Sequence, residues 1–345
     1  MAENIVKQEI VLEYLVKFVP LVILIGKNLL RQKKLNMKIL GIGNAIVDVI
    51  CKVEDDFIKK NKLTKSTMKL IFDESEFKKL LSELTIEKTV SGGSVANSIV
   101  GLSQLGNEVG FIGKISDDNL GIKYEEGLIK EKVEYLYKKK KEILPTGTCL
   151  ILITPDSERT MITYLGTAGK ISEKDIDGDI VKKAEITLLE GYLWDEGEPK
   201  KAFDKAIQNS NISAMSLSDL FCVDRHRDNF LNLVKNKLDI VFANEQEIMS
   251  LINAQKFDEV ISFAKTLNKV IIITRGANGS MGIKNDKVFE FPAKENLNII
   301  DLTGAGDLFA AGFLSEYIKK KEINECLKQG TELSSKIIQI LGARI

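Results

Sequence analysis

The chain has 345 residues, 44% of them apolar and 28% charged, with 49 basic and 49 acidic side chains. A formal net charge of zero argues against a protein whose main partner is nucleic acid, which needs a basic footprint. Four scattered cysteines and a single histidine, His226, argue equally against a structural zinc site and a histidine-based triad. Such thiols suit a reducing, cytoplasmic compartment.

In chain order, the first apolar stretch, 10–26, is interrupted by Glu13, Lys17 and Pro20. Its unbroken part is too short to span a bilayer, and no small-residue cleavage site follows. Residues 1–36 therefore read as an N-terminal extension translated from an upstream start, with Met37 as the true start. A helix lying on a membrane surface is the alternative. From Met37 onward, apolar runs recur at 39–42, 109–112, 149–154, 186–190, 214–217, 240–243 and 270–274. Several precede polar, helix-capable segments such as 200–208 and 258–267. Short buried runs alternating with amphipathic helices predict βαβ units, hence an α/β fold with a parallel sheet covered on both faces. Segments 52–71 and 148–165 break this rhythm and read as inserted strands and turns, suited to a small β lid over a site. The lysine run 138–141 reads as a solvated loop.

Three motifs carry chemistry. The first is Asp301-Leu-Thr303-Gly304-Ala305-Gly306-Asp307, followed by Leu308, Phe309, Phe313, Leu314, Tyr317 and Ile318 at helical spacing. Gly304, Ala305 and Gly306 leave backbone N–H groups uncovered at a helix N-terminus, where the dipole adds positive charge, so an anion fits there. Asp307 beside such a hole reads either as the base that accepts the proton of an attacking hydroxyl or as a simple helix cap. The second motif, Ser91-Gly92-Gly93-Ser94-Val95-Ala96-Asn97, opens a helix of small residues. Gly92 and Gly93 either let a substrate lie against the backbone, with Asn97 facing it, or serve close helix–sheet packing. The third, Gly41-Ile-Gly43-Asn44-Ala-Ile-Val-Asp48, fails the dinucleotide fingerprint because Ile46 replaces its third glycine. Asn44 and Asp48 instead place two hydrogen-bonding groups beyond a strand end, and a carboxylate there suits a vicinal diol. The alternative is that Asp48 is a solvated loop residue. No Walker A motif occurs.

These motifs, in this order, closely resemble the ribokinase-like, or PfkB, kinases. Gly92, Gly93 and Asn97 match that family's first signature, and 301–307 its second. Asn244-Glu245-Gln246-Glu247 resembles the NxxE motif, whose glutamate organises hydrated magnesium, and Thr274-Arg275-Gly276-Ala277-Asn278-Gly279 resembles the TxGxxG loop that receives ATP. The resemblance covers nearly all of 37–345 and implies a three-layer α/β/α sandwich with a small β lid. It implies ATP bound by Asn244, Thr274, Gly276, Gly279 and Thr303, and Mg2+ held through water by Glu247. It also implies a monovalent cation such as K+ beside Asp301 and Thr303, although the segment that helps close that site in relatives is short here.

Within the family, several segments resemble adenosine kinases. They are 43–48, Asp56-Phe57-Ile58, Glu158-Arg159-Thr160-Met161, Glu190-Gly191-Tyr192-Leu193-Trp194-Asp195 and 217–227. Tyr192 then reads either as an aromatic partner of the substrate base or as a core aromatic. The resemblance implies a small-molecule acceptor, adenosine or a sugar, and neither nucleic acid nor membrane as partner. It also implies a monomer or homodimer. A sugar kinase sharing every catalytic motif and a catalytically silent ligand-binding member of the fold are the alternatives.

Overall fold

The computed structural model describes residues 37–345 apart from Ser66 and Ser157, so the extension 1–36 lies outside the described residues. The strands are β1 (Ile39–Ile42), β2 (Ile46–Lys52), β3 (Met68–Ile71), β4 (Lys88–Gly92), β5 (Val109–Ile112), β6 (Glu134–Tyr135), β7 (Gly147–Ile153), β8 (Arg159–Tyr164), β9 (Ile186–Glu190), β10 (Ser213–Ser216), β11 (Ile240–Asn244), β12 (Val270–Thr274), β13 (Ser280–Lys284) and β14 (Lys287–Phe291). The helices are α1 (Asp55–Lys60), α2 (Glu74–Ser82), α3 (Ser94–Gln104), α4 (Asn119–Lys130), α5 (Gly178–Val181), α6 (Glu198–Asn209), α7 (Leu220–Asn236), α8 (Glu245–Ile252), α9 (Phe257–Lys265), α10 (Ala305–Tyr317) and α11 (Ile323–Ile337).

Nine strands form one sheet in the order β14-β13-β12-β11-β10-β9-β1-β5-β6. It is parallel from β12 to β6, and the β13–β14 hairpin adds two antiparallel strands at one edge. The central strands are buried on both faces, which is why their sequences read as unbroken apolar runs. Helices α3, α10 and α11 pack together, with α3 against β1 and β5 and α11 against β13 and β14. Elsewhere α6 lies on β9, and α8 on β11 and β12. The sheet is the middle of three layers. Among the described residues no helix is long and apolar enough to cross a membrane. All four cysteines are free and buried.

The other five strands form a second sheet, β3-β8-β7-β2-β4. It contains β3 from the stretch 52–71 and both β7 and β8 from 148–165. Two of its strands, β2 and β4, are not expected from sequence. Asn44 and Asp48 do follow the end of β1, but Asp48 is not in a loop: the segment after Asn44 is the seven-residue strand β2. Asp48 sits inside it, half-buried, opposite Val90 of β4 and Cys149 of β7. The chain leaves the first sheet at Ile42 and enters the second at Ile46, so Asn44 stands at the junction of the two.

Candidate active site

The motif at 301–307 folds as expected from its glycines. Gly304 has φ of 79° and precedes α10, a helix of 13 residues whose N-cap supplies no side-chain hydrogen bond. A Cβ on Gly304 would stand 2.8 Å from the Cα of Ala343. At Gly306 a Cβ would meet nothing within 4 Å, so the backbone there faces open space. The Ala305 N–H, expected from sequence to be uncovered, donates to the Leu302 carbonyl (3.2 Å) because the chain turns tightly into the helix. The Gly304 and Gly306 N–H groups and the helix dipole are what the turn presents to whatever enters. Asp307 lies in that turn. Its Oδ1 accepts from the Ser94 hydroxyl (2.6 Å) and its Oδ2 from Asn97 Nδ2 (3.0 Å). Burial pushes the Asp307 pKa up to about 6, while those two hydrogen bonds and the Arg344 charge hold it back. A carboxylate with that affinity is matched to taking a proton near neutrality.

Beside it, Asp48 is raised to about 7, chiefly by burial; Arg344 and Arg159 oppose the rise and Asp307 adds to it. A Cβ on Gly92 would overlap the Asp48 carboxylate, so the glycine there admits the acid. Gly93 has φ of 105°, and a side chain there would strike the Asn44 carbonyl. Asn44 is 3% exposed, and its Oδ1 is buried with no hydrogen-bond partner. Asn97, expected to face a substrate, is engaged within the protein. Its amide donates to Asp307 and accepts from Arg344 Nε at 3.2 Å. Tyr192 lies in the turn after β9 and is 37% exposed, so it is not a core aromatic. Burial and the acidic groups Asp219, Asp307 and Glu190 push its phenol pKa up. Asn44, Asp48, Gly92, Gly93, Asn97 and Asp307 therefore form one cluster at the junction of the two sheets, with Tyr192 beside it.

Two members of this cluster are not assigned by sequence. Glu190, at the end of β9, is 1% exposed. It accepts from Asn44 N (3.2 Å), Asn44 Nδ2 (3.0 Å) and Val95 N (3.0 Å). Burial and the nearby Asp307 push it to about 7 against those three bonds. A signal for it exists: an acid closing an otherwise buried parallel strand, at the carboxyl end where such folds bind ligands. Arg344 carries no local signal, because only the fold returns it to Asn97.

A second cluster gathers at the ends of β11 and β12, where Asn244 and Thr274 are register partners. Asn244 caps α8, its Oδ1 accepting from Glu247 N (2.8 Å), while Glu247 accepts from Asn244 N (2.9 Å) and Nδ2 (2.6 Å). Glu247 is 5% exposed and raised to about 7 by burial, with Asp219 adding to the rise. Among the described residues it has no ion-pair partner, and spare lone pairs remain on its oxygens. It therefore fits a hydrated divalent cation held through water. Gly276 and Gly279 have φ of 55° and 82°, and a Cβ on Gly279 would overlap the Phe291 carbonyl. Arg275 donates to Glu245 (2.8 Å) and stacks on Phe257.

Asp301 joins the clusters and differs from expectation. Its Oδ1 accepts from Thr303 N (3.0 Å) and Oγ1 (2.7 Å); its Oδ2 accepts from Arg159 Nη1 (2.6 Å) and Gly342 N (2.8 Å). A carboxylate already ringed by four donors, one a guanidinium, does not fit as a ligand for a monovalent cation.

The chain matches the family model described as pfkB family carbohydrate kinase over residues 59–345. A solved adenosine kinase from Sinorhizobium meliloti is 34% identical with a TM-score of 0.80, over 90% of this chain and 96% of that one. A probable sugar kinase from Rhizobium etli is 36% identical with a TM-score of 0.79, over 90% and 95%. Adenosine kinase 2 of Arabidopsis thaliana is 27% identical over 88% of this chain and 94% of its own length. Asp307 at a helix N-terminus, the glycine turn before it and the Asn244–Glu247 cap thus stand in a scaffold shared with ATP-dependent phosphotransferases that act on hydroxyl groups, and the chain belongs to the pfkB family of carbohydrate kinases.

Proposed function

We propose that the protein is an adenosine kinase, transferring the γ-phosphoryl group of ATP to the ribose 5′-hydroxyl of adenosine to give AMP. The observation that carries this reading is Asp48. It is a half-buried carboxylate that accepts no hydrogen bond from the described residues, beside the Gly92-Gly93 turn and the unpartnered Asn44 Oδ1. Such an acceptor-only cradle suits a pair of vicinal hydroxyls, the 2′ and 3′ groups of a ribose. The accessible ring of Tyr192 nearby suits a flat base.

In this reading Asp307 accepts the 5′-hydroxyl proton as that oxygen attacks the γ-phosphorus. The N–H groups of Gly304 and Gly306, joined by that of Ala305 once it leaves the Leu302 carbonyl, hold the charge building on the transferring group, helped by the α10 dipole. ATP lies along Asn244, Thr274, Gly276, Gly279 and Thr303. Asn244, ending β11, and Asn44, following β1, are three strand spacings apart, about 14 Å, which suits a triphosphate reaching between them. A magnesium ion bound with ATP would neutralise phosphate charge, its waters held by Glu247. The five-stranded sheet acts as a lid. It contributes Asp48 from β2 and Arg159 from β8, and its closure excludes water that would otherwise hydrolyse ATP.

A sugar kinase is the second reading, favoured by the 36% identical probable sugar kinase. Phosphorylation assays with adenosine, 2′-deoxyadenosine, ribose, fructose and a 2-keto-3-deoxy sugar acid decide between them. Adenosine is expected to give the highest kcat/KM. A free sugar used better than adenosine would overturn the nucleoside assignment and leave the kinase standing.

A further inference from the structure

The carboxylate of Glu190 is used in none of these steps, yet it touches both halves of the acceptor cradle. Oε1 takes two hydrogens from Asn44, one from the backbone and one from the side-chain amide. Oε2 takes the backbone hydrogen of Val95 in the first turn of α3. No cation pairs with Glu190 among the described residues; three N–H groups and the positive end of α3 balance its charge. Gly43 makes room for it, since a Cβ there would overlap Oε2.

Above its pKa of about 7 Glu190 is ionised, the form that its three N–H donors serve, and an ionised carboxylate can only accept hydrogen bonds. The nitrogen end of the Asn44 amide must therefore face Glu190, and the oxygen end must face away. That oxygen is the buried Oδ1 that no protein group satisfies. A buried acceptor without a donor is unusual and is relieved when a ligand supplies one. Val95 adjoins Ser94, which donates to Asp307, and Asn97 donates to it from the same turn. The Oε2 contact thus sets the roll of the turn that holds the base.

We infer that Glu190 is a positioning and specificity residue, which locks the polarity of the Asn44 amide so that Oδ1 accepts a hydrogen bond from a hydroxyl or amino hydrogen of the acceptor. The inference rests on the acceptor site of the proposed function, but not on the acceptor being adenosine.

Four variants test it: Glu190→Gln, Gly43→Ala, Asn44→Asp and the double exchange Glu190→Gln with Asn44→Asp. For each, kcat and KM are measured for adenosine and for ATP, alongside the melting temperature. A glutamine faces an N–H donor with its own amide whichever way it turns, and Asn44 is then free to flip. Glu190→Gln is expected to raise the adenosine KM about tenfold or more while leaving the ATP KM within about twofold. Gly43→Ala displaces the carboxylate without removing its charge and is expected to act in the same direction, so the question stays open to test if Glu190→Gln does not fold. In the double exchange the roles are reversed: the introduced glutamine amide donates to the introduced aspartate carboxylate, whose other oxygen still accepts from substrate. It is expected to recover part of the adenosine KM lost by either single change. An unchanged adenosine KM in both Glu190→Gln and Gly43→Ala, an equal rise in the ATP KM, or a double exchange no better than its worse parent would overturn the inference. If wild type prefers a sugar to adenosine, the functional assignment falls, and the same four variants are judged by the same criteria on that sugar.

Discussion

At the ends of β1 and β9 the site is crowded with side chains. Asp48, Glu190 and Asp307, all with raised pKa values, stand around Asn44 and Asn97, and Arg344 reaches in from the far end of the chain. At the ends of β11 and β12 it is built from turns. Gly276 and Gly279 hold positive φ angles, and the polar side chains Asn244 and Glu247 spend much of their bonding capacity on each other. The difference teaches where discrimination resides. Side chains with fixed hydrogen-bond polarity reject an acceptor that lacks the matching group, because buried polar atoms are then left unpaired. Backbone N–H groups in glycine turns hold a phosphate chain generically.

The contrast can be broken most sharply at Asp307. Replacing it with Asn removes the proton acceptor with little change of shape, and kcat is expected to fall by about 10²- to 10⁴-fold while ATP binding persists. Turnover near wild type would reduce Asp307 to a cap. The same variant should melt higher at pH 8. The folded-state pKa of Asp307 is raised from 3.8 to about 6, so the fold favours the neutral acid. That contribution is complete below about pH 4 and is lost as pH rises through 6. Removing the ionised form should restore on the order of 1–3 kcal/mol at pH 8.

Next in size is the diol clamp. Adenosine should be preferred to 2′-deoxyadenosine by roughly 10²-fold, and Asp48→Ala should weaken adenosine use and narrow that ratio. Equal use of the two nucleosides by wild type would remove the clamp. A pH profile sharpens the picture further. Because Asp307 must be ionised to act and its pKa lies at about 6, and because Asp48 and Glu190, raised to about 7, must be ionised to serve as acceptors, kcat/KM should fall at least about tenfold between pH 7 and pH 5. A flat profile over that range would mean another base.

On the nucleotide side the expected effects are smaller and fall on ATP alone. Gly279→Ala strains a turn at φ 82° against the Phe291 carbonyl. It should raise the ATP KM several-fold, leave the adenosine KM unchanged, and cost about 1–2 kcal/mol of stability. A matching rise for adenosine would mean that the two halves are not separable. Every residue assigned to either half follows Met37, so removing 1–36 is expected to change no kinetic constant by more than about twofold.

Much of this architecture is legible in the order of residues. The runs at 39–42, 109–112, 186–190, 240–243 and 270–274 correspond to strands because a parallel sheet buried on both faces selects apolar side chains continuously. The helix after Asp307 is visible from its apolar spacing. Strands β2 and β4 are hidden for physical reasons. β2 follows a glycine turn and carries the acid Asp48, and β4 is short and ends on Gly92, so neither shows a clean alternation. Glu190 is visible as an acid closing a buried strand, but its partners, and Arg344 altogether, are hidden by distance: 146 residues separate Asn44 from Glu190, and 247 separate Asn97 from Arg344. Local periodicity cannot register hydrogen bonds at that range. Asp301 reads as a possible cation ligand in sequence because its four donors come from β8, its own loop and the chain's last turn.

That ring around Asp301 also has a consequence in time. One carboxylate holds the amide hydrogens of Thr303 and Gly342 on its two oxygens, and Arg159 of the second sheet shares the oxygen that takes Gly342. Both amides lose their acceptor when Asp301 swings away. Their hydrogens should then exchange with solvent deuterium at a common rate, faster in concentrated salt and in Arg159→Ala. Followed by mass spectrometry without any ligand, that shared rate reads out how often the loop leading into α10, the helix that carries Asp307, comes undone.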